Sequence, residues 1–218
     1  MQRFAREGEL LASIDSPYVV KVFDHGVSDS YGCIAMEFFG RGDLAQRMNQ
    51  VISADDAVLF LHNIACGLDA IHRAGVVHRD LKPGKIMFRS DGSMALLDFG
   101  VSQGEGADLS LTPTGAIIGT PYCMSPEQTV GGAVDLRVDL YAAGVIFYQM
   151  LTGKRAFTAR NLPALLLVIH SDPIPRLPAE LQAYQPVTER LSAKKREERY
   201  HNAGELIAAL AELVAVGA

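Results

Sequence analysis

Apolar positions fall into two regimes along the chain, a short alternating one near the start and a long helical one that fills the rest. Tyr18-Val19-Val20-Lys21-Val22-Phe23 and Tyr31-Gly32-Cys33-Ile34-Ala35-Met36-Glu37-Phe38 are rich in β-branched and aromatic residues and enclose a Gly/Ser/Asp turn, which predicts a hairpin. Ahead of it, Phe4, Leu10, Leu11 and Ile14 recur at helical spacing over residues 2–14. Ser16-Pro17 stops that helix, because a proline drives the residue before it out of the helical region.

From residue 43 onward the spacing is helical. Ser53 is placed to cap a helix whose first turn holds Asp55 and Asp56, whose core stripe is Leu61, Ile64, Leu68 and Ile71, and which ends at Arg73-Ala74-Gly75. Short β-type pieces at 86–88 and 94–97 flank Asp91-Gly92, a hairpin signal. Residues 139–152 are apolar on nearly every face and stop at Gly153, as expected of a helix at the centre of a helical lobe. Two further helices are predicted over 162–170 and 181–191. Asn202 with Glu205 is expected to cap a last one bearing Leu206, Leu210 and Leu213. The fold class is therefore α+β, with a small β-containing start and a large helical remainder.

Composition narrows this picture. A chain of 218 residues with 49% apolar content, no repeats and no low-complexity linker buries one good-sized core, so one domain, bilobal at most, is expected. A net charge of −5 argues against a nucleic-acid or anionic-membrane surface. Cys33, Cys66 and Cys123 are odd in number and lack metal-ligand spacing, which suits a reducing cytoplasm. No apolar run reaches the roughly 18 residues of a membrane span. The start, Met1-Gln2-Arg3-Phe4-Ala5-Arg6-Glu7, has no signal-peptide core, so a soluble, cytoplasmic chain is expected.

The chemistry lies in His78-Arg79-Asp80-Leu81-Lys82-Pro83-Gly84-Lys85, followed eighteen positions after Asp80 by Asp98-Phe99-Gly100. Next come Gly119-Thr120-Pro121-Tyr122-Cys123-Met124-Ser125-Pro126-Glu127, then Asp139 in the apolar helix, then Glu197-Glu198-Arg199-Tyr200. In this order the motifs resemble those of bacterial, eukaryotic-type (Hanks-type) serine/threonine protein kinases. The resemblance covers residues 1–218 as one kinase domain. It implies a remnant of the N-lobe, a helix plus two strands, with the hinge at 1–39, and a complete, mostly helical C-lobe at 40–218.

The same resemblance implies roles. Asp80 would orient the attacking hydroxyl and accept its proton, Lys82 would stabilise the transferred phosphoryl group, and Asp98 would hold Mg2+ bridging the phosphates of ATP. Lys82 and Thr120 together would favour a protein substrate carrying Ser or Thr. Glu7 resembles the glutamate that pairs with the ATP-anchoring lysine. Met36 resembles the gatekeeper, Glu37 to Phe39 the adenine hinge and Met87 the floor beneath the ring. Thr112 or Thr114, once phosphorylated, would pair with Arg79 and order the loop. Asp139 would brace the catalytic loop, and Glu127 would pair with Arg199.

Two departures bear on activity. Lys85 stands where the signature has an Asn that ligates the metal, and a charged Lys coordinates nothing. Neither a glycine-rich phosphate loop nor a V-A-I-K lysine occurs within the 218 residues. The chain is therefore expected to begin inside a longer kinase domain and to be inactive alone, with the absent N-lobe strands or a dimer partner completing it. The alternative is a pseudokinase that serves as a protein-binding module.

Overall fold

The computed structural model describes residues 13–27, 32–97 and 121–217. Glu7, Asp98, Thr112, Thr114 and Thr120, and nearly all of the helix predicted over 2–14, lie outside the described residues.

The first sheet is an antiparallel hairpin of β1 (Val22–Val27) and β2 (Gly32–Met36), in register from Asp24 opposite Ala35 to Val27 opposite Gly32, with an irregularity between Val22 and Asp24. Its first strand begins at Val22, four residues later than the alternation predicts. Residues 18–20 run instead along the second sheet, where Val20 N–H donates to the Leu96 carbonyl at 3.0 Å and Leu96 N–H to the Tyr18 carbonyl at 2.9 Å. Alternation reports which face a side chain takes, not which strand it joins.

Beyond the hairpin come α1 (Leu44–Arg47) and α2 (Ala54–Arg73). The Ser53 hydroxyl caps α2 by accepting from Asp56 N–H at 3.1 Å, and Gly75 at φ 76° follows its end. The second sheet is the antiparallel pair β3 (Ile86–Phe88) and β4 (Met94–Leu96), turned at Gly92 with φ 91°. Gly67 of α2 lies so close beneath it that a Cβ would meet the Leu96 side chain at 2.8 Å and the Tyr18 carbonyl at 2.9 Å.

The remaining helices are α3 (Pro126–Thr129), α4 (Arg137–Thr152), α5 (Leu162–Ser171), α6 (Gln185–Leu191) and α7 (Ala203–Gly217). α4 is buried along most of its length and stops at Gly153 in the left-handed region, and α2 and α6 pack against it. Residues 181–191 are not one helix. A 3-10 stretch over Ala179–Tyr184 precedes α6 because Pro186 lacks an N–H, so an α-helix must restart around it. At α7 the Asn202 side chain accepts from Glu205 N–H at 2.9 Å, but the Glu205 carboxylate accepts from His201 N–H, one residue before the expected donor. No described helix is long and apolar enough to cross a membrane.

Candidate active site

The loop from His78 to Lys85 joins α2 to β3 and is held from below by Asp139, in the first turn of α4. That carboxylate is 1% exposed; it accepts from His78 N–H and Arg79 N–H at 2.8 Å each and lies 2.8 Å from His72 Nε2. Three donors make a buried charge tolerable. Arg79 sits at φ 64°, the one described non-glycine residue at positive φ, and Asp80 N–H donates to the His78 carbonyl at 2.9 Å to close a γ-turn. From the other side Gln128 Nε2 donates to the Arg79 carbonyl at 2.9 Å. A strained turn of this kind costs about 1–3 kcal/mol and persists only where its surroundings over-determine it, as they do here. Burial pushes the His78 imidazole below its ordinary value, so it is uncharged inside the loop.

Past this turn the Lys82 ammonium donates to Asp80 Oδ2 at 2.7 Å, and both groups keep partial access to solvent. Leu81, 3% exposed, anchors the loop between them. Lys85 closes the 3-10 turn Pro83–Lys85: its N–H donates to the Lys82 carbonyl and its carbonyl accepts from Leu97 N–H, each at 2.8 Å. Position 85 is thus fixed between the Asp80 loop and the strand that leads to Asp98. Among the described residues no cluster of three His, Cys, Asp or Glu could hold a metal ion.

The segment after Thr120 packs against the same loop. Pro121–Cys123 forms a 3-10 turn, and Cys123 lines a small cleft with Arg79, Asp80, Gln128 and Asp139. Burial pushes the Cys123 thiol up to about 12, and the charge on Asp80 adds to it. Ser125 and Gln128 form a reciprocal capping box at α3. Glu127 meets Arg199 through two hydrogen bonds of 2.7 and 2.8 Å, and Arg199 also donates to the carbonyls of Ala193, Arg137 and Lys194. Burial raises the Glu127 carboxyl, but the hydrogen bonds and charge of Arg199 outweigh it and hold the group below the ordinary carboxylate range.

At the far edge, Met36 ends β2 at 37% exposure, whereas Phe39 is 9% exposed and packs with Val20 and Ala95 over Met87. The Glu37 carboxylate accepts from Arg89 Nε at 2.5 Å and Nη2 at 2.7 Å, and from Lys21 N–H at 2.8 Å. Arg89 also donates to the carbonyls of Pro17, Val19 and Met94, and its guanidinium lies 5.8 Å from the Phe39 ring centroid. It ties Glu37, residues 17–19 and the second sheet together. Arg89, His72 and Gln128 are polar partners of these residues that sequence reasoning missed, since a lone polar residue carries no spacing signal.

The structure therefore gathers Arg79, Asp80, Lys82 and Lys85 on one loop over Asp139, with the Glu127–Arg199 pair beside it. Met36, Glu37, Phe39 and Met87 gather at the junction of the two sheets.

Comparison with known proteins accounts for this constellation. Residues 1–210 match the family model of the protein kinase domain. The chain is 37% identical to the serine/threonine-protein kinase Pkn1 of Myxococcus xanthus over 100% of its own length and 33% of that protein's. It is 36% identical to pkn2 of the same organism, over 96% of this chain and 27% of the relative. With PknL of Mycobacterium tuberculosis it shares 32%, over 99% of this chain and 56% of the relative. The chain thus spans between about a quarter and somewhat over half the length of these relatives. Motif order, loop geometry and family match agree, and the chain belongs to the protein kinase domain family.

Proposed function

We propose that this chain carries the phosphotransfer centre of a serine/threonine protein kinase, which moves the γ-phosphoryl group of ATP to Ser or Thr hydroxyls of a protein substrate. The observation that carries the reading is the Asp80–Lys82 pair at 2.7 Å, on a loop clamped by Asp139 and Gln128. Asp80 accepts the proton of the attacking hydroxyl as its oxygen bonds to the γ-phosphorus and the bond to the β-phosphate oxygen breaks, releasing ADP. Lys82 neutralises charge on the phosphoryl oxygens. Because such catalysis is mostly positioning and electrostatics, the rigidity of the loop is part of the chemistry.

Nucleotide recognition fits the hinge. The Glu37 carbonyl and both backbone groups of Phe39 take no hydrogen bond from another described residue, so they are available to an adenine edge between Met36 and Met87. Magnesium fits poorly. A charged Lys85 offers no lone pair at one ligand position, and of the expected Asn–Asp pair only Asp98 remains to ligate the ion.

The 218 residues contain neither the glycine-rich loop nor the anchoring lysine, so the reading assigns transfer to a protein in which those parts are supplied. Lys85 favours a second reading, a pseudokinase that docks partners through its helical lobe. Incubation with labelled ATP and magnesium separates them. The chain alone is expected to incorporate nothing, and a version preceded by a complete set of N-lobe strands to label Ser/Thr substrate in an Asp80-dependent way. No incorporation by the extended, folded protein would leave the pseudokinase reading.

A further inference from the structure

We infer that Arg155, stacked on Tyr122, is a specificity-determining residue that selects protein substrates with an acidic side chain within a few positions of the acceptor hydroxyl. The inference rests on the phosphotransfer reading of the Asp80 site. Tyr122 is the middle residue of the docking turn Pro121–Cys123, and the Arg155 guanidinium lies 3.8 Å from its ring centroid. Cys123, the next residue, lines the cleft of Asp80. The Cys123 thiol feels the charges of Asp80, Lys82 and Arg155 together, so all three lie near one residue of that turn.

The 3.8 Å separation sets the guanidinium carbon against the face of the Tyr122 ring. Contact through the face leaves the in-plane N–H donors of an arginine pointing outward, the fork geometry that matches a carboxylate. Arg155 is exposed, and no carboxylate stands within ion-pair distance of it among the described residues. Its other neighbour in sequence, Lys154, is also an exposed cation.

The platform is built rather than loose. Gly153 at φ 66° turns the chain out of α4, and Lys154 N–H donates to the Thr152 hydroxyl at 3.1 Å. Ala156 and Phe157, 8% and 3% exposed, anchor the other side. A preorganised cation beside the acceptor site recovers more of its interaction with an anion than a mobile one. An extended peptide advances about 3.3 Å per residue, so an acceptor at Asp80 and a Glu three positions away span about 10 Å. The local charge is opposite to the chain's net −5, so a general attraction for anions does not explain it.

Fluorescence anisotropy tests this on the 218-residue chain. The probes are three labelled serine-centred peptides that differ only in carrying Glu, Gln or Lys at the flanking positions. The Glu peptide is expected to bind about fivefold tighter than the Gln peptide, in keeping with one solvent-facing ion pair, and the advantage to fade in high salt. Arg155→Glu should invert the order of the Glu and Lys peptides, Tyr122→Leu should shrink the discrimination, and Arg160→Glu, at another exposed position, should change neither. An unchanged order in Arg155→Glu, or no peptide bound by a folded chain, overturns the inference. Labelling with ATP is scored separately. Charge discrimination without transfer in the completed protein refutes the phosphotransfer reading alone, and transfer without discrimination refutes the assignment of Arg155 alone.

Discussion

Arg199 and Glu127, 72 residues apart in sequence, meet through two parallel hydrogen bonds of 2.7 and 2.8 Å, with the arginine side chain fully buried. The pair ties α3 to the loop between α6 and α7. Removing the cation would strand a partly buried carboxylate, so Arg199→Ala is expected to cost about 3–5 kcal/mol, against nearly nothing for the exposed Arg160→Ala. Denaturant midpoints of the two variants check this, and equal midpoints would contradict it. Because the folded-state Glu127 carboxyl lies below its ordinary value, the contribution of the pair is present above the unfolded-state value and is lost as pH falls through the folded one.

Asp139 supports the loop from His78 to Lys85 in a comparable way. Its oxygens are the acceptors for two successive backbone N–H groups, one buried and one half-buried, so Asp139→Ala leaves both unmet and is expected to destabilise the fold by roughly 3–5 kcal/mol. Asp139→Asn keeps one acceptor oxygen and should lose less. Trypsin cleavage after Arg79 is the local readout, since a loop released from Asp139 opens more often than the rest of the domain. Cleavage at the wild-type rate in Asp139→Ala would show that the γ-turn holds without its brace.

Lys194 provides a signal on the alkaline side. Its ammonium donates to the Ile169 carbonyl at 2.6 Å and sits 4.3 Å from the Phe157 ring centroid, and burial pushes its ionisation down to about 8. Asp172 opposes that shift and Arg199 adds to it. Above pH 8 the native chain sheds this proton while the unfolded chain, with an ordinary lysine near 10.4, keeps it. The unfolded state then binds more protons, so stability relative to Lys194→Met should rise between about pH 8 and 9.5. Beyond that window the buried phenols of Tyr141 and Tyr200, held above their ordinary values, act in the opposite direction. Midpoints for both proteins across the window decide it; parallel curves would mean that Lys194 titrates as an exposed amine.

Much of this architecture was legible locally. Helix α2 announces itself through the Ser53 cap, two first-turn aspartates and an apolar stripe, and each of these acts within a few residues. The loop from His78 to Lys85 was legible through motif order, which also pointed to Asp139 and to the Glu127–Arg199 pair although no spacing rule links positions so far apart. What escaped depends on tertiary partners. The strand-like residues 18–20 join β4 rather than β2, because their sheet is decided by Arg89 and Leu96, about 70 residues downstream. His72 carries no spacing signal, yet its ring meets the buried carboxylate of Asp139. Pro186 was visible, and the helical spacing around it overrode the warning it carries about α6.

Position 85 separates a damaged metal site from a rebuilt one. Lys85 is fixed by backbone bonds to Lys82 and Leu97, so its side chain leaves the loop where the family signature has a metal-ligating amide. Two unit charges ~4 Å apart at an effective dielectric of 20 interact by about 4 kcal/mol, and a divalent ion is repelled more strongly. If the lysine only obstructs the metal, Lys85→Asn should make nucleotide affinity magnesium-dependent and, in a protein completed with the N-lobe strands, raise the transfer rate on the order of 10²-fold, the scale of one electrostatic contact at a transition state. Asp98→Asn should erase that gain. If the ammonium has taken over the role of the ion, the wild-type protein should bind ATP without magnesium and Lys85→Asn should weaken that binding. Titrating ATP with and without magnesium against both proteins distinguishes the cases, and identical affinities throughout would rule out both accounts and leave position 85 without a role in nucleotide binding.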